Sequence, residues 1–292
     1  MTEQDLHHGV IRRNPIKKKV QRLTRYVQDR RIAMSGIPFD FQTGYDVRDY
    51  IGNIPIKNQG KNDSCSGQAG SYFLEIQRRL KGIKEGAISA KSIYSLIAYS
   101  GGGTTVNALE TQIGANGANL ETTVASNDIS GNPLPEIYME STEWRTFLLI
   151  RDAANRAGYL PNDVAPEINT VASTIKQYGA VILEVQGQDN GTWLSSLPIA
   201  PNNHKGLWQH FLCAVGAKLV NGKGCIIVLN SWGTNIGEQG VQYISEDYFN
   251  SGHVLNVSAF IPMDLLQPLP ENHSIWAEVI RYLKSLLPLK VA

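Results

Sequence analysis

Residues 58–75, NQGKNDSCSGQAGSYFLE, place Cys65 where a turn-rich segment passes into a predicted helix. The helix is predicted because apolar residues after Ser64 recur at helical intervals, at Ala69, Phe73, Ile76 and Leu80. Ser64 or Asp63 is suited to cap this helix, and Gly82 is suited to end it. A helix N-terminus stabilises an anion, so a cysteine at this position has a lowered pKa and more thiolate.

By itself, this position leaves Cys65 as a buried thiol, a metal ligand or a nucleophile. The other two cysteines, Cys213 and Cys225, lie inside apolar strand patterns and are predicted to be packed and unpaired. The three cysteines form no CxxC pair and the six histidines complete no zinc-ligand spacing, so neither a metal nor another cofactor is expected. Nucleophilic chemistry therefore depends on whether suitable partner residues exist.

Composition limits the class of protein and its partners. The chain has 292 residues, of which 42% are hydrophobic and 18% charged, as is typical of a globular protein with a sizeable core. The formal net charge is +1, so a nucleic-acid partner is not expected. The first residues contain no apolar signal region, and no run of about eighteen apolar residues follows. We therefore expect a cytoplasmic or otherwise non-Sec-exported protein without disulfides.

Local composition along the chain predicts three regions. Residues 1–37 form a basic N-terminal extension or short pro-segment, since residues 11–31 carry nine Lys or Arg against one acid, Asp29. This arm is a solvated extension, a cover for a cleft or a contact for an anionic partner. Residues 266–292 form a Pro-bounded linker and an amphipathic helix that packs on the body or on a partner. The main domain spans 38–265.

Within the main domain the pattern changes from helix to strand. Helices are predicted over 91–100 and 143–158 in the first half, separated by Gly-, Asn- and Pro-rich turns. After Thr174, short apolar or β-branched runs predict antiparallel strands: AVILEV, HFLCAV, CIIVLN and VQYI, with a turn at NGKG. The predicted fold class is α+β, with a helical lobe and a β-sheet lobe.

Residues able to serve a nucleophile occur at suitable points of this pattern. Gln59 lies on a glycine-flanked turn, where its amide and the Cys65 N–H are able to form an oxyanion hole. Among the six histidines only His210 directly precedes an apolar strand. Asn230 ends another such strand and is suited to orient the imidazole through a hydrogen bond. Trp232 is suited to shield that hydrogen bond from water.

Three blocks of the sequence resemble, in order, the signature blocks of papain-like cysteine peptidases: DVRDYIGNIPIKNQGKNDSCSGQA, WQHFLCAVG and CIIVLNSWGTNIGEQGV. The resemblance spans roughly 38–249 and implies a two-lobed fold with the active-site cleft between the lobes. It implies peptide-bond hydrolysis through a thioester, with Cys65 as nucleophile, His210 as general acid/base, Asn230 as orienting residue and Gln59 as oxyanion donor. His210 follows Cys65 at the family's distance of about 130–150 residues, and Asn230 lies slightly beyond it.

A fourth block, SGGGTTVNALE, resembles the glycine-rich loop whose main chain pairs with the bound peptide in this family. The resemblance implies that Gly102 and Gly103 line the cleft and that Thr105 lies near the pocket for the second side chain before the scissile bond. It also implies that Gln209 borders the cleft and that Trp232 contributes to substrate binding.

The chain departs from the family pattern beside the nucleophile. The family's usual cysteine, glycine and aromatic residue are replaced by Asn62, Asp63 and Ser66, so a family disulfide is missing and a carboxylate is added. Near Cys65, the Asp63 charge is expected to favour the neutral thiol and to repel acidic substrates. Two other classes of function remain open: a catalytically silent peptide-binding or structural relative, and an acyltransferase that uses the same thioester chemistry.

Overall fold

The computed structural model describes residues 38–99, 102–113, 117–126, 144–150, 167–203 and 205–262. The predicted basic arm and the predicted C-terminal helix lie outside these residues. The described helices are α1 (Arg48–Ile51), α2 (Cys65–Leu80), α3 (Ala90–Tyr94), α4 (Val106–Thr111), α5 (Ile168–Tyr178) and α6 (Glu246–Asn250). The described strands are β1 (Tyr45–Asp46), β2 (Trp144–Ile150), β3 (Val181–Gln188), β4 (Leu207–Val220), β5 (Lys223–Leu229), β6 (Val241–Ser245) and β7 (Val254–Pro262).

The strands form one seven-stranded sheet in the order β2-β7-β3-β4-β5-β6, with β1 paired to β4. Every strand pair in the described residues is antiparallel. The predicted turn joins β4 and β5 through two residues, since Val220 pairs with Lys223. Asn221 and Gly222 between them have φ angles of 49° and 78°, the left-handed pair that a tight hairpin requires. The strands predicted after Thr174 and the α+β fold class are confirmed.

Both faces of this sheet are buried, as alternation along the central strands shows. On β3, Val181, Leu183 and Val185 join a core with α5 and a group of aromatic side chains. The intervening Ile182 joins a second core, which also contains Phe73 and Ile76 of α2. The sheet therefore separates α2 on one face from α5 on the other.

Helix α2 packs closely against its neighbours because it carries glycine where they approach. A Cβ at Gly67 would lie 2.5 Å from the carbonyl oxygen of Ala90 in α3. The helix ends at Leu80, and Gly82 follows with a φ of 84°, as predicted. The prediction of a side-chain cap at its start was wrong for Ser64, which holds the cap position but whose side chain accepts from no backbone N–H of the first turn within the described residues.

Other elements also differ from the sequence prediction, and the helix predicted over 91–100 ends at Tyr94. The prediction of a helix over 143–158 was wrong for Trp144–Ile150. These residues form strand β2, which pairs antiparallel with β7. A short apolar run is compatible with either state, and pairing with the sheet decides this one. Helix α5 was not predicted. In the described part of the chain no helix is both long enough and apolar enough to cross a membrane.

Candidate active site

Cys65 is the first residue of α2 and is buried. The sixteen residues of this helix direct the N–H groups of its first turn and the positive end of its dipole toward the Cys65 region. The Ser64 side chain does not occupy these donors within the described residues. The helix start therefore stabilises negative charge at this position, whereas the burial of Cys65 opposes it.

His210 and Asn230 come from neighbouring strands and form a hydrogen-bonded pair. His210 lies in β4, Asn230 follows the last residue of β5, and β4 pairs with β5. The distance from His210 Nε2 to Asn230 Oδ1 is 2.9 Å. Asn230 Oδ1 also accepts from the Ser231 N–H at 2.6 Å, which identifies it as the oxygen end of the amide. His210 Nε2 therefore carries the proton, and Nδ1 is the ring nitrogen suited to accept one.

Three tryptophan rings lie against the His210 imidazole. The Trp232 ring stacks on the His210 ring, with 4.4 Å between centroids and 30° between planes. Trp193 and Trp208 meet the imidazole edge-on at 6.5 Å and 6.4 Å. Burial lowers the pKa of His210 to about 4, although the hydrogen bond to Asn230 acts in the opposite direction. The uncharged imidazole is thus the favoured form in this conformation.

Gln59 is joined to the same group of residues from the other side. Its backbone N–H donates to the Ser231 carbonyl at 2.8 Å, and its Oε1 accepts from the Ser231 hydroxyl at 2.7 Å. Its Nε2 donates to the carbonyl of Asn62 at 2.8 Å, three residues before Cys65. The nitrogen end of the Gln59 amide therefore faces the loop that leads to the thiol.

Tyr72 connects the helix of Cys65 to the strand end that carries Asn230. The Tyr72 hydroxyl donates to the Asn230 carbonyl at 3.1 Å and accepts from the Lys57 N–H. Burial raises the pKa of Tyr72 far above its usual value, so the hydroxyl remains a donor at every working pH. Together with Gln59, this contact ties α2 and the loop before it to the strand end that carries Asn230.

The glycine-rich loop lies beside the start of α2. Gly102 and Gly103 have φ angles of 83° and 71°, which favour glycine. A Cβ at Gly102 would lie 2.5 Å from Asp63 Oδ2, so the carboxylate lies directly against this loop. The N–H of Gly103 donates to the Tyr94 hydroxyl at 2.9 Å. Burial chiefly raises the pKa of Tyr94, and the nearby Asp63 and Cys65 add to this effect.

Comparison with known proteins agrees with this geometry. A model of the papain family of cysteine proteases matches residues 41–260. The chain belongs to the papain family. No curated protein sequence matches it significantly.

Solved structures of papain-family proteins share its fold. The procathepsin L2 proteinase from the larval midgut of Tenebrio molitor is 18% identical with a TM-score of 0.66, over 89% of this chain and 80% of that one. Bromelain from Ananas comosus, solved with a bound inhibitor, is 20% identical with a TM-score of 0.55, over 75% and 98%. Procathepsin B S9 from Trypanosoma congolense is 12% identical with a TM-score of 0.54, over 90% and 85%. At these identities the likeness shows the fold alone.

The predicted substrate-binding residues lie in two places of this papain-like domain. Gly102, Gly103 and Thr105 lie on the loop before α4, where the Thr105 hydroxyl caps the helix by accepting from the Ala108 N–H at 3.3 Å. Gln209 is half-buried on β4 directly before His210. In this conformation the Gly103 N–H is used by the protein, so pairing with a peptide requires that the Tyr94 hydroxyl release it.

The two remaining cysteines are buried away from the helix start. Burial raises the pKa of Cys225 to about 11 and that of Cys213 still further, so both remain neutral thiols at neutral pH. No disulfide joins the three cysteines, all of which lie in the described residues. Among those residues there is also no group of three or more His, Cys, Asp or Glu arranged to hold a metal ion.

Gln242 is a polar residue of the site that sequence reasoning missed. The amide nitrogen of Asn230 donates to Gln242 Oε1 at 2.6 Å, and Gln242 is fully buried in β6. The available signal was a glutamine inside the apolar run VQYI, which is typical of one polar outward position on an alternating strand. All five residues of β6 are in fact buried.

Proposed function

We propose that this protein is a cysteine endopeptidase that hydrolyses peptide bonds through Cys65, His210, Asn230 and Gln59. The observation that carries the proposal is the His210–Asn230 hydrogen bond beneath the Trp232 ring. It is supported by Cys65 at the start of a long helix and by Gln59, which links the loop before that helix to Ser231 beside Asn230. Papain-family proteases act on peptides or proteins, and the glycine-rich loop beside Cys65 offers the matching binding edge.

The first step transfers the thiol proton of Cys65 to His210 Nδ1. The thiolate then attacks the scissile carbonyl, and the carbonyl electron pair becomes an oxyanion. In this proposal the Cys65 N–H and the Gln59 amide stabilise that oxyanion. As the oxyanion collapses, the C–N bond breaks and the imidazolium gives its proton to the departing amine. A water molecule, deprotonated by His210, hydrolyses the thioester.

The low pKa of His210 determines how the proton transfer from Cys65 can occur. A buried imidazole without a compensating charge stays neutral at pH 7, because burial penalises its cation. A thiolate formed beside it supplies the opposite charge, so thiol and imidazole ionise together and titrate as a pair. The helix start at Cys65 lowers the cost of that ion pair.

The test is active-site labelling combined with substrate profiling. A peptide epoxide should modify Cys65 stoichiometrically and leave Cys213 and Cys225 unmodified, as mapped by mass spectrometry after proteolysis. Turnover of a mixed peptide library should disappear in Cys65→Ala and in His210→Ala. The matched control is Cys225→Ala, which removes a buried thiol outside the site and should leave turnover unchanged. Label found mainly on Cys213, or turnover by Cys65→Ala, would overturn the proposal.

In this proposal, residues 1–37 cover the active-site cleft and inhibit the enzyme. Their nine clustered cations and the family's usual inhibitory pro-segment motivate it. Exposed ion pairs contribute only about 0–1 kcal/mol each, so apolar residues such as Val20 and Leu23 would supply most of the affinity. The test compares kcat/KM of the full chain and of a protein beginning at Gly36, at low and high salt. Equal values without removal of the arm would exclude a cover and favour a contact for an anionic partner.

A further inference from the structure

Gln242 is a fully buried glutamine whose amide makes hydrogen bonds at both ends. Its Oε1 accepts from Asn230 Nδ2 at 2.6 Å. Its Nε2 donates to the carbonyls of Trp193 and Ser195, at 2.9 Å and 2.7 Å. These carbonyls belong to the turn around the short 3-10 helix Thr192–Leu194. The amide thus bridges a backbone turn and the residue that contacts the candidate catalytic histidine.

The partners of Gln242 determine which way both amides point. Two carbonyl oxygens can only accept hydrogen bonds, so they must face the nitrogen of Gln242 and not its oxygen. The Gln242 oxygen then faces Asn230 and requires the Asn230 nitrogen on that side. This leaves the Asn230 oxygen toward His210 Nε2, as observed.

The opposite orientation of Asn230 would have a chemical consequence. An Asn230 nitrogen facing His210 would require an unprotonated Nε2, so the proton would reside on Nδ1. In that tautomer, Nδ1 cannot accept the thiol proton. The turn carbonyls, through Gln242 and Asn230, therefore select the tautomer with Nε2–H and a basic Nδ1. The Ser231 N–H favours the same orientation through its bond to Asn230 Oδ1.

We propose that Gln242 is a positioning residue of the active site, which holds the Asn230 amide in the orientation that keeps His210 able to accept the Cys65 proton. The proposal rests on the proposed peptidase function.

A purely structural role for Gln242, as a tie between the turn and β6, is already filled by the backbone. The Tyr243 N–H donates to the Ser196 carbonyl at 2.7 Å, and the Gly237 N–H donates to the Leu194 carbonyl at 3.1 Å. These bonds hold the turn without any side chain. These backbone bonds do not replace the hydrogen bond that the Gln242 oxygen accepts from Asn230.

The kinetic test is a double-mutant cycle with Gln242→Met, which keeps a side chain of similar length without its amide. With Asn230 present, Gln242→Met should lower kcat about 10-fold, which corresponds to about 1.4 kcal/mol in activation free energy. In Asn230→Ala it should lower kcat less than 2-fold, because no amide remains to be oriented. Equal losses in both backgrounds, or no loss in either, would overturn the proposal.

The pH profile and a matched control separate positioning from packing. When the Asn230 oxygen no longer accepts from His210, the imidazolium is less stable and its pKa falls. The alkaline limb of kcat/KM should therefore move to lower pH in Gln242→Met. Gln77→Leu is the control, since it removes a buried amide on α2 that donates to the Tyr178 carbonyl at the end of α5, distant from this hydrogen-bond chain. It should cost similar stability and leave the limb in place. An equal shift in both variants would overturn the proposal.

A spectroscopic measurement keeps the proposal testable without turnover. In the Cys65→Ala protein, ¹⁵N chemical shifts of His210 at pH 7 should report a single neutral tautomer with the proton on Nε2. Adding Gln242→Glu should preserve that tautomer, because a neutral carboxyl still offers an acceptor to Asn230, whereas Gln242→Met should give a mixture. The same single tautomer in the Met variant would refute the positioning role even if the peptidase function holds. Failed labelling of Cys65 in the wild type would refute the peptidase function alone.

Discussion

The burial of His210 predicts an acid-sensitive fold in a protein that lacks the thiol. In Cys65→Ala no thiolate can form, so burial, opposed by the hydrogen bond to Asn230, sets the protonation of the imidazole. The pKa of His210 is lowered from 6.5 to about 4 in the folded protein. Between these values the unfolded chain binds a proton that the folded chain does not. Stability therefore falls as the pH falls from about 6.5 to about 4, and this contribution levels off below that.

The size of the effect follows from the two pKa values. Each pKa unit corresponds to about 1.4 kcal/mol, so the full difference is about 3 kcal/mol below pH 4. Over the accessible interval from about pH 7.5 to about pH 5, the linkage relation gives a loss of about 2 kcal/mol. The histidine is fully buried and the group that lowers its pKa is the protein interior itself, so solvent screening does not reduce this figure.

The assay is urea unfolding of Cys65→Ala at several pH values, with Cys65→Ala/His210→Gln as the matched control. The two proteins share every other titrating group, so their difference isolates His210. The difference in free energy of unfolding should change by about 2 kcal/mol between pH 7.5 and pH 5. An NMR titration of the His210 ring provides the independent value. Parallel stability curves, together with an imidazole that titrates near pH 6.5, would refute the argument from burial.

Three further outcomes are expected from single substitutions near the site. Asp63→Gly should move the acid limb of kcat/KM to lower pH, because it removes a negative charge that opposes the thiolate; an unmoved limb would place Asp63 outside the field of the site. Tyr72→Phe should lower the free energy of unfolding by about 1–3 kcal/mol, since the Asn230 carbonyl loses its donor; urea unfolding measures this, and an unchanged value contradicts it. Tyr94→Phe should lower KM about 2–10-fold at constant kcat, because it releases the Gly103 N–H for peptide binding; a higher KM would show that the hydroxyl helps substrate binding.

The parts of the fold that could be predicted are those whose local pattern and final environment agree. The strands β3 to β6 have β-branched or apolar sequences, and they are buried between two cores. Helix α5 was missed because its sequence, INTVASTIKQY, contains several β-branched residues that disfavour helix. It forms because Val171, Ala172 and Ile175 lie on one side and pack on the sheet. Tertiary packing here outweighs local propensity.

In the candidate site, too, some residues could be predicted from the sequence, whereas contacts that depend on packing could not. Sequence order alone indicated Cys65, His210 and Asn230, and the structure pairs the last two through a hydrogen bond between neighbouring strands. The hydrogen bond from the Gly103 N–H to the Tyr94 hydroxyl could not be predicted, because nothing in either residue type specifies that partner. It depends on how the loop folds back over α3, which only the packed structure determines.

Gln242 shows why a polar residue in an apolar strand is the hardest member of a site to predict. The run VQYI suggests that glutamine faces water, and a solvent-facing glutamine has no assigned partner. The structure instead buries β6 completely, and a buried amide without hydrogen bonds would cost about 1–3 kcal/mol. Such a residue is retained in a core only where its partners need both a donor and an acceptor. At Gln242 those partners are two turn carbonyls and the nitrogen of Asn230, so the same contacts that make its burial tolerable also fix the orientation of the site.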